Sequence, residues 1–257
     1  MPRGGAWGER VALAARARGL DPRVVPLIAT EPPLDPAPLD RAVARLVAAT
    51  SDRSDSPADG VRTSIDGYAW IVVTSATAVT ALAGLVPGLP SGVQVAAVGE
   101  ATARAARAAG WRVDLVPDDA SAAGLVAALP HMDGTVLFPR SEIAAPTLVD
   151  GLRARGIDVD DPVAYRTVGT GDEPVVLDAV PGAVLVTSGS VAREVARRMT
   201  PLDPTTLVAC IGPGTAADAR AAGLPVHVTG ASRSAEALLD AVVEALDPST
   251  PDQEGHP

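Results

Sequence analysis

The sequence predicts an α/β protein of two similar parallel-sheet lobes, one inserted into the other, and three observations carry that prediction. Residues 74–129 recur at 187–242 without a gap, so that Thr74-Ser75 meets Thr187-Ser188, Gly99 meets Gly212, Thr102 meets Thr215, Gly110 meets Gly223 and Ser121 meets Ser234, each pair 113 apart (187 − 74). Residues 2–21 recur at 139–158 with a different offset, 137 (139 − 2), matching Pro2, Arg3, Gly19 and Asp21 to Pro139, Arg140, Gly156 and Asp158. Short apolar runs alternate with Ala-rich stretches throughout both repeats, the pattern of βαβ units.

A self-match of this length means two copies of one supersecondary unit. Because the smaller block precedes its larger partner at the N-terminus yet follows the other copy in mid-chain, the simplest path inserts a complete lobe into its twin. Domain 1 is then residues 1–30 with 168–246, domain 2 is 31–167, and the chain crosses at about 25–34 and 162–170. Residues 247–257, rich in Pro, Asp and Ser, are expected to be a disordered tail.

Within the inserted lobe, WIVVTS (70–75), VQVAAVGE (93–100), WRVDLVP (111–117) and TVLFPRS (135–141) read as buried parallel strands. ATARAARAAG (101–110) reads as a helix closed by Gly110. SAAGLVAAL (121–129) reads as a helix capped by Ser121, and a third helix falls around 143–155. The other lobe repeats the scheme with GAVLVTS (182–188), TLVACIGP (206–213) and LPVHVT (224–229). Residues 51–66, dense in Ser, Asp and turn formers, read as a solvated loop.

Hydrophobic residues make up 47% of the chain but aromatics only 2%, so the cores must be Val, Ala and Leu. A net charge of −10 argues against a nucleic-acid partner, since no basic stripe exists to neutralise phosphates. Cys210 is the single cysteine and lies inside the apolar run LVACI, so it reads as packing, with no disulfide and no metal-ligand spacing. No apolar run is long enough to span a membrane and no signal peptide opens the chain, so a cytoplasmic location is expected.

By the 137 offset, Met1 stands where Phe138 stands, at the end of a strand. The matching strand of domain 1 would precede residue 1. The expectation is therefore that the native product begins with several more apolar residues.

The ordered set WIVVTSATAV, AVGEATA, GWRVDLVP, SAAGL, LFPRS, PVAYRTV, LVTSGS and CIGPGTA resembles the uroporphyrinogen-III synthase family, over nearly the whole chain. The resemblance implies two flavodoxin-like domains joined by two linkers, with substrate in the cleft between them. It also implies cyclising dehydration of hydroxymethylbilane, a linear tetrapyrrole polycarboxylate, with inversion of its last ring through a spiro intermediate. No cofactor and no metal are implied, and a monomer without membrane or nucleic-acid partners is expected.

Ligands of open α/β sheets sit beyond the carboxyl ends of the strands. That places the candidate substrate-binding groups at Thr74, Ser75, Gly99, Thr102, Arg140 and Ser141 in one lobe, and at Arg3, Thr187, Ser188, Gly189, Ser190, Gly212 and Thr215 in the other. Hydroxyls and backbone N–H groups at helix starts suit carboxylates, although the same hydroxyls serve equally as helix caps. Gly214 stands where the family often has a second hydroxyl. Arg3 and Arg140 offer forked donors to carboxylates, or to an internal acid or carbonyls. Arg166 and Arg193 are weaker candidates, and His131, His227 and His256 lack a partner at any catalytic spacing. Tyr165, in the crossing AYRTV, is the candidate catalytic residue, since a phenol can donate to a leaving hydroxyl. A non-catalytic bilobed binding or sensory module is the alternative, because such lobes bind ligands with or without chemistry.

Overall fold

The computed structural model describes residues 1–2, 4–51, 67–86, 88–232 and 234–247. Arg3, nearly all of the expected 51–66 loop and nearly all of the expected 247–257 tail lie outside the described residues. In chain order the elements are α1 (Gly5–Arg16), β1 (Ile28–Glu31), α2 (Ala37–Ser51), β2 (Tyr68–Val73), α3 (Ala76–Ala83), β3 (Gln94–Ala97), α4 (Glu100–Ala108), α5 (Ala122–Ala128), β4 (Thr135–Leu137) and β5 (Arg140–Ser141). There follow α6 (Thr147–Ala154), β6 (Asp158–Asp160), β7 (Val163–Gly169), β8 (Ala183–Val186), α7 (Gly189–Arg198), β9 (Leu207–Cys210), α8 (Pro213–Ala221), β10 (Val228–Thr229) and α9 (Ala235–Leu246). Contacts divide the chain into two compact units, one of Met1–Ala29 with the chain from Thr167 onward and one of Thr30–Arg166.

In the contiguous unit the strands run in the order β3-β2-β4-β6, all parallel. The central strand, YAWIVV, is β-branched and aromatic and is buried on both faces, as a parallel strand covered by helices must be. One face packs Ile71, Val73, Leu82, Ala103 and Ala106 with Leu46 of α2. The other packs Trp70, Val72 and Val136 against Leu125, Leu152 and Ile157 of the α5 and α6 side.

In the discontinuous unit the sheet order is β10-β9-β8, again parallel. Val186, Val208 and Cys210 pack on α7 and α8. Leu185 and Ala209 pack on α1 and α9 through Val11, Leu238 and Val242. Burial pushes the Cys210 thiol above its ordinary pKa, which suits a packing role.

The repeat is visible in the backbone itself. The pairing Trp70↔Gln94 recurs as Ala183↔Leu207, both residues shifted by 113 (183 − 70 and 207 − 94). Ser75, Ser121, Ser188 and Ser234 each accept a bond from the third N–H of the helix they precede. Gly110 and Gly223 close α4 and α8 at φ 82° and 83°, a left-handed conformation that glycine alone adopts without steric cost.

Two expected strands are shorter than the sequence suggests, for one physical reason. Residues 111–117 contribute a single bridge, Ala96↔Leu115, and 224–229 contribute only β10. In the first, Oδ2 of Asp114 accepts the Val95 N–H at 3.0 Å. In the second, Nδ1 of His227 accepts the Val208 N–H at 2.9 Å. Residues 114 and 227 are repeat partners (227 − 114 = 113), so a carboxylate and an imidazole perform the same task where a ladder carbonyl would otherwise stand.

The segments expected as linkers are strands. β7 lies between β1 and β5 in a small sheet of its own, and Thr170 N–H donates to the Leu27 carbonyl at 3.0 Å. Helix α2 was not anticipated, although APLDRAVARLVAAT carries apolar residues at helical spacing and buries Leu39, Ala42 and Leu46.

Candidate functional site

Thr74 and Ser75 follow β2 directly, at its carboxyl end. Ser75 has extended backbone, φ −151° and ψ 148°, and its Oγ accepts the Ala78 N–H at 3.0 Å, so the residue caps α3. The same Oγ lies 2.9 Å from the hydroxyl of Tyr165. Because Oγ already accepts from Ala78, its own proton and that of Tyr165 remain to be shared between the two oxygens or given to a third group.

Tyr165 is held by β7. It is the Cα partner of Ser141 on β5, and its carbonyl accepts the Glu142 N–H at 3.0 Å. Its ring packs with Leu39, Ala78 and Ala164, and the residue is 9% exposed. The sequence-expected Ser75, Ser141 and Tyr165 thus converge on one locality, built from the end of β2 and the β5–β7 pair. A buried phenol packed in an apolar cluster and partnered by a serine hydroxyl can hand a hydrogen bond to an acceptor without first being desolvated.

Arg140 does not reach outward as a free fork. Its Nε donates to Oδ2 of Asp161 at 2.9 Å and to the Asp161 carbonyl at 3.1 Å, and Nη1 donates to the Ser141 carbonyl at 3.2 Å. Arg153 shares the same carboxylate at 3.0 Å. Arg140 therefore braces the β5 turn, through the internal acid that its sequence context left open. Arg166 is similarly engaged, by Glu31 at 2.6 Å and the Pro32 carbonyl at 3.1 Å.

Gly99 precedes α4 with extended backbone and no side-chain cap. A Cβ there would meet the Ala120 side chain at 3.1 Å, so glycine permits the close approach of the 118–121 turn. Thr102 is buried and faces the protein side of α4.

In the discontinuous unit, Thr187 and Ser188 follow β8, and Ser188 Oγ accepts the Val191 N–H at 3.3 Å. Oγ1 of Thr187 is buried and has no hydrogen-bond partner among the described residues. A buried hydroxyl without a partner is uncommon and costs stability. Gly189 opens α7, where an added Cβ would stand 2.5 Å from Oδ2 of Asp218. Ser190 Oγ receives Nη2 of Arg193 at 3.2 Å. Gly212 precedes α8 as Gly99 precedes α4, with Pro213 in the first turn, and Thr215 is partly exposed there. Each of these helices presents first-turn N–H groups outside its own ladder, which favours anionic oxygen.

Residues 9–240 match the family model described as uroporphyrinogen-III synthase HemD. The chain belongs to this family. A protein of Methanothermobacter thermautotrophicus named "Putative uroporphyrinogen-III synthase" is 33% identical to this uroporphyrinogen-III synthase family member over 132 residues, 48% of the present chain. The match spans about half, 52%, of that curated relative's own length. Two solved structures share the fold. Uroporphyrinogen-III synthetase from Helicobacter pylori 26695 aligns at TM-score 0.57 and 18% identity, covering 85% of this chain and 90% of that one. A mutant uroporphyrinogen III synthase from the extremely thermophilic bacterium Thermus thermophilus aligns at TM-score 0.55 and 18% identity, covering 92% and 94%. At these identities the likeness speaks for the fold alone.

Against this uroporphyrinogen-III synthase background, sequence reasoning overlooked two acids. Asp161 occupies the candidate Arg140, and Asp218 stands beside Gly189. The DDP run at 160–162 beside the crossing was a usable signal for the first. Asp218 had none, since its repeat partner is Ala105 (218 − 113). Among the described residues no helix is long and apolar enough to cross a membrane.

Proposed function

We propose that the chain is a cyclising lyase that dehydrates hydroxymethylbilane, inverts its last pyrrole ring and closes the macrocycle to uroporphyrinogen III. The observation that carries this reading, beside membership of the family, is the Ser75–Tyr165 hydroxyl pair at the carboxyl end of β2. Tyr165 donates to the hydroxyl of the substrate's hydroxymethyl group as the C–O bond breaks, and that hydroxyl departs as water. The electron pair of the adjacent pyrrole compensates the carbon left behind, so the proton is the only group the protein must supply or recover. Attack by the last ring through its substituted carbon gives the spiro intermediate, whose reopening and closure inverts that ring.

Because the cation is stabilised within the substrate, holding the ring in position outweighs proton transfer in importance. Thr74, Ser75, Gly99 and Ser141 in one unit, and Thr187, Ser188, Gly189, Ser190, Gly212 and Thr215 in the other, supply N–H and O–H donors for the substrate carboxylates. Arg140 serves by bracing Ser141 and Tyr165 rather than by direct contact. Each unit is read as a flavodoxin-like domain, and the enzyme as a cytoplasmic monomer.

The test is incubation with enzymatically prepared hydroxymethylbilane and separation of the products. The type III isomer supports the reading. Formation of the type I isomer alone, which arises without catalysis, refutes it and favours a binding module.

A further inference from the structure

The corner between β6 and β7 is pinned at successive residues. Oδ2 of Asp160 accepts the Tyr68 hydroxyl. Asp161, next in sequence, accepts from Arg140 at 2.9 Å and from Arg153 at 3.0 Å. Pro162 follows, and its carbonyl accepts the Arg140 N–H at 3.0 Å. Tyr165 stands just beyond this corner, on β7.

The strand pairing that leads to Tyr165 is irregular. Arg140 pairs with Val163, yet the next residue, Ser141, pairs with Tyr165, so β7 advances by two residues while β5 advances by one. A bulge-like step of this kind bends a strand and interrupts its ladder, and a slip of one residue turns a side chain to the other face. The Arg140 guanidinium spans the step. Its Nε binds both the carboxylate and the carbonyl of Asp161, and its Nη1 binds the carbonyls of Ser141 and Glu142 at 3.2 and 3.4 Å. The two side chains of the ion pair are only 25% and 24% exposed, so water and salt screen it less than an open surface pair. Beyond the step, the Glu142 N–H donates to the Tyr165 carbonyl at 3.0 Å. Contacts therefore run unbroken from Asp161 through Arg140 to the two residues of β5 and its exit turn that engage Tyr165.

We propose, on the reading of Tyr165 as the proton donor, that Asp161 is a positioning residue for the reaction. It sets the Tyr165 hydroxyl beside Ser75 by anchoring Arg140 across the irregular β5–β7 step. Without the carboxylate, Arg140 keeps its carbonyl partners on the β5 side but loses the charged anchor that ties them to the corner. Most of the donors assigned to substrate carboxylates stand on other turns and are untouched by that loss. The effect thus falls on the step that needs the phenol in place, and so on kcat rather than KM.

The test compares Asp161→Ala, Arg140→Ala, the double variant and Asp114→Ala, the last being a control that loses a strand bond at β3 in the same unit. Formation of the type III isomer from hydroxymethylbilane is timed across substrate concentrations. Ring carbon NMR follows the chain's two tyrosines, Tyr68 and Tyr165, with Tyr165→Phe supplying the assignment. Asp161→Ala is expected to lower kcat about tenfold while KM stays within about twofold. It should also shift the Tyr165 Cζ resonance and speed amide exchange at Glu142 about tenfold or more. The double variant should fall no lower than the worse single one, because the pair acts as a unit. Asp114→Ala should lower Tm and leave kcat alone. Where the alanine variant does not fold, Asp161→Asn, isosteric and uncharged, is read in the same way. Wild-type kcat in the Asp161 variant, or an unmoved Tyr165 resonance, overturns the proposal. So does an equal fall in kcat for Asp114→Ala, which assigns the effect to lost stability. A wild-type chain that yields only the type I isomer overturns the reading of Tyr165 and the proposal with it, whereas type III from both wild type and Asp161→Ala at one rate overturns the positioning role alone.

Discussion

The hydroxyl of Tyr165 lies 2.9 Å from Oγ of Ser75, and that same Oγ caps helix α3 through the Ala78 N–H. The candidate chemistry is therefore tied to a helix terminus. Tyr165→Phe should lower turnover of hydroxymethylbilane about tenfold to a hundredfold while changing Tm by only a few degrees, about the effect of one hydrogen bond. Ser75→Ala should cost about 1 kcal/mol of stability for the lost cap and slow turnover as well, whereas Ser75→Thr should retain both. Steady-state rates with denaturant melts would check this, and wild-type turnover in Tyr165→Phe removes the phenol from the chemistry.

Thr187 carries a buried hydroxyl with no hydrogen-bond partner among the described residues. If it donates to a substrate carboxylate, Thr187→Val should leave the free protein as stable or up to about 1 kcal/mol more stable, yet raise KM several-fold. A stability loss with unchanged KM would show that the hydroxyl serves the fold.

Asp114 and His227 occupy the same place in the two repeats, each accepting a strand N–H. Replacing either with alanine strands a buried donor and should cost roughly 1–3 kcal/mol. His227→Asp should recover most of that loss, because the sister unit already uses a carboxylate there. Chemical denaturation of the three variants would decide it; no recovery would mean that ring packing dominates.

Tyr68, at the start of β2, donates its hydroxyl to Oδ2 of Asp160 beneath the Arg45 guanidinium. Burial first, then the bond to Asp160, raises the phenol's pKa above its ordinary 10.0. A raised pKa means the folded state prefers the protonated phenol. The contribution is thus fully present below the unfolded pKa and is lost as pH rises beyond it, at up to about 1.4 kcal/mol per pH unit. Melting curves from pH 8 to 11 should show this fall, and Tyr68→Phe should flatten it.

The mixed α/β class and its parallel sheets were legible because the repeat preserves what backbone geometry demands: a capping serine, a left-handed glycine, a run of β-branched residues. Boundaries failed where a side chain replaces a ladder bond, as at Asp114 and His227, since an acceptor on a side chain leaves no periodic trace. The site was legible in part. Ser75, Ser141 and Tyr165 meet, and hydroxyls after apolar strands are readable in one dimension. Arg140 was ambiguous because its partner Asp161 is 21 residues away in sequence, and only the β5–β7 register brings them to 2.9 Å.

One tie in the discontinuous unit bears on how the chain is born. Arg18 of α1 donates to Asp240 of α9 across 222 residues of sequence, at 2.7 Å. Every contact internal to Thr30–Arg166 is available once residue 166 has emerged from the ribosome, whereas α1 must wait for nearly the entire polypeptide before its partner exists. The inserted lobe can mature on the nascent chain while the amphipathic α1 stays without its native cover. Termination after residue 166 but before α9 would release one finished lobe carrying an unsheltered helix, the kind of product that quality-control proteases recognise.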